Sequence, residues 1–241
     1  MNGRLGSIAA LVLLTGLSCL PDATLHAEHG ESVVCPPMEM PPRQVKSEFE
    51  LVEWINRADE RCLPLLDGRV KASGALMYVR LVDGTQGVIL RPRTIFPLLM
   101  FRLDRYDHKH NLLFFEVAGM HLNRRLVVDL TNALTVSMPG LPDYSSDGRW
   151  ALSVGRLQPV YHDDFSIFDM AQHPPAQVFL PTRETVVDGA ELRITRLNWV
   201  AANRIEGSAV WRRTHTPDRP AKVSIEYDGV LWNLKVGEPE Q

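Results

Sequence analysis

The amino-acid sequence predicts a mainly β protein built from antiparallel meanders and preceded by a single helix. Three observations lead there. From Ala72 onward apolar residues recur at strand period, whereas the segment just before it keeps a helical one. Turn-forming pairs punctuate the chain at Asp67-Gly68, Asp83-Gly84, Asp147-Gly148 and Asp228-Gly229. Strand-like cores begin near Leu76, Leu113, Ala151 and Leu192, a spacing of roughly 40 residues that suits the four short strands of a propeller blade.

Composition sets the outer limits. The chain has 241 residues, 45% of them hydrophobic and 23% charged, which is enough apolar content to bury a core. Lys plus Arg number 26 against 29 for Asp plus Glu, a formal charge of -3. There is no cationic excess to neutralise a nucleic-acid backbone, so nucleic acid is not an expected partner.

The N-terminus reads as an export signal. Arg4 precedes Ile8-Ala9-Ala10-Leu11-Val12-Leu13-Leu14, an apolar run too short to span a bilayer and suited to a signal-peptide core. Two processing routes stand open. Cleavage after Ala27, with Leu25 at the -3 position, makes residues 1–27 the signal peptide and releases a free periplasmic or secreted protein. Alternatively Gly16-Leu17-Ser18-Cys19 resembles a lipobox, so that 1–18 is removed and a lipidated Cys19 anchors the protein to a membrane face.

Of the three cysteines, Cys19 leaves with the signal or carries lipid, so Cys35 and Cys62 remain. In an oxidising compartment such a pair is expected to form a disulfide. Cys35-Pro36-Pro37 and Pro41-Pro42 make residues 28–46 an extended tether. Ser47-Glu48-Phe49-Glu50 has capping-box spacing, and Leu51, Ile55, Ala58 and Cys62 share one helical face. Pro64 ends that helix near Cys62. Residues 28–71 therefore form a tether and capping helix, and 72–241 the β domain.

Within the β domain, Ala75 to Leu81 and Gly87 to Leu90 flank Asp83-Gly84 as a hairpin. Near the C-terminus, Val223, Ile225 and Tyr227 alternate before Asp228-Gly229, and Val230, Trp232, Leu234 and Val236 alternate after it. A two-residue turn is expected to set the two series opposite one another on one face. Val127-Val128-Asp129-Leu130 matches Ile167-Phe168-Asp169-Met170 as a repeated second element.

Leu141-Pro142-Asp143-Tyr144-Ser145-Ser146-Asp147-Gly148-Arg149-Trp150-Ala151-Leu152 resembles the turn-and-strand signature of the WD40-like, TolB-type β-propeller repeat. Ser146 stands where that family has proline. The likeness covers residues 112 to 181, and it implies about four blade-like antiparallel units, in a closed ring or an open fragment. A β-sandwich is the alternative architecture, since short alternating strands suit it equally.

Candidate chemistry is sparse. The resemblance places Asp143, Asp147, His162, Asp163 and Asp164 in blade loops, where propellers bind ligands. His108-Lys109-His110, between Asp104, Asp107 and Asn111, has two imidazoles at strand spacing but reads as a polar turn. His29, Cys35, Met38 and Met40 offer soft ligands for copper(I), yet a disulfide at Cys35 removes the thiolate. Trp150, Trp199, Trp211 and Trp232 read as sheet-packing residues. No G-x-S-x-G, H-E-x-x-H, P-loop, G-x-G-x-x-G or C-x-x-C motif occurs, and no catalytic residue, cofactor or metal is expected. The expected function is an exported, non-catalytic envelope protein that binds another protein or an envelope component through its loops. An envelope hydrolase using isolated carboxylates on a glycan is the alternative.

Overall fold

The computed structural model describes residues 32–36, 57, 59–73, 76–90, 100–119, 122–155, 165–180, 186–187, 190–212 and 219–237. The export signal with Cys19, the capping box at Ser47 to Glu50, His29, Met38, Met40 and His162 to Asp164 lie outside the described residues. No described helix is long and apolar enough to cross a membrane.

The protein is mainly β, with four antiparallel sheets. The chain divides into two compact units, Met1–Met120 with Leu126–Val136 and His121–Arg125 with Ser137–Gln241. Among the described residues no sheet is closed or curled.

In the first unit a three-stranded sheet is formed by β2 (Val70–Ser73), β3 (Leu76–Arg80) and β4 (Gln86–Leu90). The expected hairpin at Asp83-Gly84 is its β3–β4 connection. A five-stranded sheet has the order β1-β5-β6-β7-β8, from β1 (Val33–Val34), β5 (Met100–Asp107), β6 (Leu112–Gly119), β7 (Leu122–Asp129) and β8 (Thr135–Met138). Val70, Met77, Val79 and Ile89 of the first sheet share a buried core with Phe101, Leu103, Leu113, Phe115 and Val128 of the second. Burying the alternating face of each sheet is what the strand period predicts.

Cys35 and Cys62 join that core and are bonded, with Cα atoms 5.0 Å apart and a separation of 27 positions in sequence. This is the pairing expected of an oxidising compartment. Residues 59–62 are helical and pass directly into a 3-10 turn, Leu63–Leu66, with Pro64 in its first positions. The bond therefore sits where the helix stops.

Its two arms grip one strand. Val33 and Val34 pair with Tyr106 and Arg105 of β5, and the Cys35 N–H donates to the Asp104 carbonyl at 2.9 Å. From the helical side Asp59, 1% exposed, accepts the Leu103 N–H at 2.9 Å. The β5–β6 register shifts between Leu103 and Arg105. A bulge there leaves a backbone donor off the ladder, and the buried carboxylate satisfies it. Nothing in the sequence marked Asp59 for this, because its partner is 44 residues away.

In the second unit β9 (Pro142–Tyr144), β10 (Trp150–Val154), β11 (Phe165–Asp169) and β12 (Ala176–Phe179) form one sheet of order β12-β11-β10-β9. The other runs β13-β14-β15-β16-β17, from β13 (Val186–Val187), β14 (Ala190–Ala201), β15 (Arg204–Arg212), β16 (Arg219–Tyr227) and β17 (Trp232–Val236). Trp150, Leu152, Phe165 and Ile167 share a core with Ile205, Ile225 and Trp232 across the two sheets. β11 is buried at every position, so it reads as a continuous apolar run rather than an alternation. Gly140 lies so close to β10 that an added Cβ would come within 2.0 Å of the Val154 carbonyl. Ser153 closes that approach, donating to the Gly140 carbonyl at 2.8 Å and accepting the Gly140 N–H at 2.9 Å.

One register differs from the sequence expectation. Tyr227 pairs with Trp232, Ile225 with Leu234 and Val223 with Val236, so residues 228–231 form the turn and Val230 lies outside the strand. The cause is Asp228, whose Oδ1 accepts the N–H groups of both Val230 and Leu231 at 2.8 Å. A slip of two residues keeps every side chain on its face, so the alternation alone did not distinguish the two turns.

Candidate functional site

Asp228 is one case of a device used in six described hairpin turns. Oδ1 of Asp83, Asp107, Asp129, Asp147, Asp169 and Asp228 accepts the N–H two residues later at 2.8–3.1 Å. This is the Asx-turn, in which a short carboxylate replaces a backbone acceptor. The matched tetrads at Asp129 and Asp169 are explained by it, since each ends a strand with this cap. After Asp83, Asp147 and Asp228 the next residue is a glycine at φ of 83°, 72° and 101°, conformations that a side chain would strain.

Asp147, a candidate binding residue, is thus engaged by the Arg149 N–H at 3.1 Å and the Ser145 hydroxyl at 2.6 Å. These donors hold its carboxyl below the usual range, the Ser145 hydroxyl chiefly. Ser145 also accepts the Trp150 N–H at 3.0 Å, so the Ser-x-Asp-Gly turn closes with serine rather than proline at position 146. Asp143 is exposed on β9, and its carbonyl accepts the Trp199 indole N–H at 2.8 Å.

In the first unit the His108-Lys109-His110 segment is a turn, as expected. Asp107 caps it, and its Oδ2 lies 2.8 Å from His110 Nδ1. Tyr106 stacks against His108 at 4.2 Å between centroids and lies beneath Arg69 at 5.3 Å. Among the described residues no group of three His, Cys, Asp or Glu could hold a metal. Burial, and secondarily Arg69, push His108 below its ordinary value of 6.5. The unfolded chain then binds the proton more readily, so stability is fully present above pH 6.5 and falls with pH below it. His108→Asn is expected to flatten the pH dependence of the urea midpoint in that acid range. An unchanged slope would show that His108 does not titrate differently on unfolding.

The residues that the sequence did not bring together meet at one end of the second unit. Three turns converge there: residues 145–149 between β9 and β10, 202–203 between β14 and β15, and 228–231 between β16 and β17. The Tyr227 N–H donates to the Asn203 carbonyl at 3.0 Å, and the rings of Trp150 and Tyr227 lie 4.9 Å apart. Trp232 stands edge-on to Trp150 at 5.4 Å and to Trp199 at 5.9 Å. Trp150 and Trp232 are buried, at 4% and 6%, whereas Trp199 and Tyr227 keep partial exposure. Hydrogen bonds from Trp199 to Asp143 and from the Tyr227 hydroxyl to the Gly229 carbonyl (2.9 Å) fix both rings. The turn between Tyr227 and Trp232 carries Val230 and Leu231, exposed by 78% and 63%.

No family model, curated protein or solved structure matches the chain. The chemistry of this end is therefore read from its own residues. The rings of Trp199 and Tyr227 and the guanidinium of Arg149, 4.5 Å over the Trp150 ring, are the residue types that concentrate contact energy in protein interfaces. The carboxylates beside them are committed to other groups. Glu226 is held below its usual range first by Lys235 at 2.5 Å, and Asp228 by the N–H groups it caps. A general acid requires the opposite displacement.

The one feature that could have revealed this surface early is Asp228-Gly229-Val230-Leu231. An aspartate that caps two successive N–H groups forces the two following apolar residues into the turn.

Proposed function

We propose that the protein is an exported, non-catalytic envelope protein that docks a partner protein through the turn-bearing end of its second unit. The observation that carries this reading is the exposure of Val230 and Leu231 in the turn between the hydrogen-bonded Tyr227 and the buried Trp232. Exposed aliphatic groups held in a hydrogen-bonded turn offer a contact whose ordering cost is small. The disulfide supports export. Attachment through a lipidated Cys19 and free release are both compatible with docking.

The meanders also support a WD40-like reading of the architecture. β5 to β8 and β9 to β12 are successive runs of four neighbouring strands, and each run carries the aspartate cap on its third strand, at Asp129 and Asp169. We read these as blade-like units, of which the docking end presents the turns.

A photo-crosslinking residue placed at Leu231 in cells tests the function, with the exposed Lys71 of the first unit as the comparison position. The expected result is one reproducible envelope protein captured from position 231 and not from 71. Failure to capture any protein from 231, with a soluble glycan panel cleaved by the purified chain, would replace docking with the hydrolase reading.

A further inference from the structure

We infer that Arg149 is the specificity-determining residue of this surface: it takes a carboxylate of the partner, while Tyr227, Val230 and Leu231 receive an apolar side chain next to that carboxylate. The inference rests on the docking function proposed above and names the partner chemistry. Three cations stand at this end of the second unit. Arg204 is paired with Glu206 at 2.5 Å and Glu226 at 3.3 Å, and Lys235 with Glu226 at 2.5 Å. The Arg149 side chain makes no hydrogen bond or ion pair among the described residues; its guanidinium carbon lies 4.5 Å from the Trp150 ring, and its charge acts on the Asp147 carboxyl.

Asp147 feels this guanidinium least among the groups that lower its carboxyl. Asp147 is turned to the Ser145 hydroxyl and to the backbone N–H of Arg149 itself. A guanidinium held over an indole keeps its hydrogen-bonding edge available, and that planar fork matches a carboxylate. Stacking also removes much of the side-chain entropy that an exposed ion pair otherwise costs.

The setting selects the source of the carboxylate. Trp150 joins Arg149 directly to the aromatic cluster, whose Tyr227 and Trp232 flank the turn carrying Val230 and Leu231. One acid beside one apolar group suits a protein segment, as an Asp or Glu side chain or a chain terminus. A polyanion does not suit it, because Glu206, Glu226 and Asp228 border the same end and the whole chain carries a formal charge of -3.

The test uses the full processed chain and two probes, N-acetyl-leucyl-aspartate amide and its asparagine counterpart, followed through the indole N–H resonances of Trp150, Trp199 and Trp232. The aspartate probe is expected to shift these signals and to bind about 5-fold tighter than the asparagine probe. Arg149→Gln should remove that preference with the thermal midpoint unchanged, and Arg149→Lys should restore only part of it, since an ammonium keeps the charge without the fork. Equal binding of the two probes, an aspartate preference that survives Arg149→Gln, or no shift from either probe at millimolar concentration would overturn the inference. The crosslink at position 231 separates the two levels. If it persists undiminished in Arg149→Gln, docking stands and the role of Arg149 falls; if it never forms, docking itself falls.

Discussion

Replacing both half-cystines, Cys35→Ser together with Cys62→Ser, is expected to lower the stability of the first unit by about 2–5 kcal/mol. The chain-entropy part comes from releasing a loop of about 28 residues and amounts to roughly 3 kcal/mol. Burial adds to it, because both sulfurs sit in the core with Leu66, Val70 and Leu103, where two hydroxyls would need hydrogen-bond partners. The loss should be local. The Cys35 and Leu103 amides, which donate to Asp104 and Asp59, should lose hydrogen-exchange protection, since the bond ties both arms to β5. The amides paired between β10 and β11 should keep theirs. A variant whose Leu103 amide exchanges at the wild-type rate would show that the clamp on β5 does not depend on the bridge. Mass spectrometry of unreduced envelope protein provides a direct check, because two free thiols there would contradict the bond itself.

The second large effect is expected at Trp232. This indole packs on Trp150, Trp199 and Tyr227 with centroids 5.4, 5.9 and 5.5 Å away, and its removal opens a cavity beneath the docking end. Trp232→Ala should cost about 3–5 kcal/mol in urea unfolding of the second unit. Trp232→Phe is the informative companion. The buried Trp232 Nε1 has no hydrogen-bond partner among the described residues, so phenylalanine keeps a ring and forfeits no hydrogen bond. Its cost should be well below that of the alanine variant, since only part of the ring volume is removed. Equal losses for the two variants would mean that a phenyl ring does not restore the contacts of the indole with its three neighbours. The near-ultraviolet circular dichroism should fade in Trp232→Ala and persist in Trp232→Phe, since it reports the fixed ring contacts.

Local chemistry made much of this protein legible. Strand period and Asp-Gly pairs marked the β3–β4 and β16–β17 hairpins, Pro64 marked where the helix stops, and cysteine parity marked the disulfide. Each of these rests on interactions within a few residues or on a count. Asp59 shows where such reading ends: its carboxylate is meaningful only because a bulge in β5, 44 residues away, leaves a backbone donor to satisfy. The tryptophans show it again, since strand segments predict packing but not which ring stays half-exposed.

The sequence by itself determined the β class, the punctuation of the turns, the cysteine pairing and the identity of Asp147 as a turn residue. Those follow from side chains acting on their own backbone. Only the tertiary structure decided that three turns distant in sequence meet on one aromatic floor. It also decided that Val230 and Leu231 face solvent, and that Arg149 lies over Trp150 with no ion pair among the described residues. The alternation of Val223 to Val236 fits a turn of two residues or of four with the same faces buried, so periodicity could not choose between them. The two backbone N–H groups that Asp228 captures made that choice, and with it they exposed the side chains proposed to meet the partner.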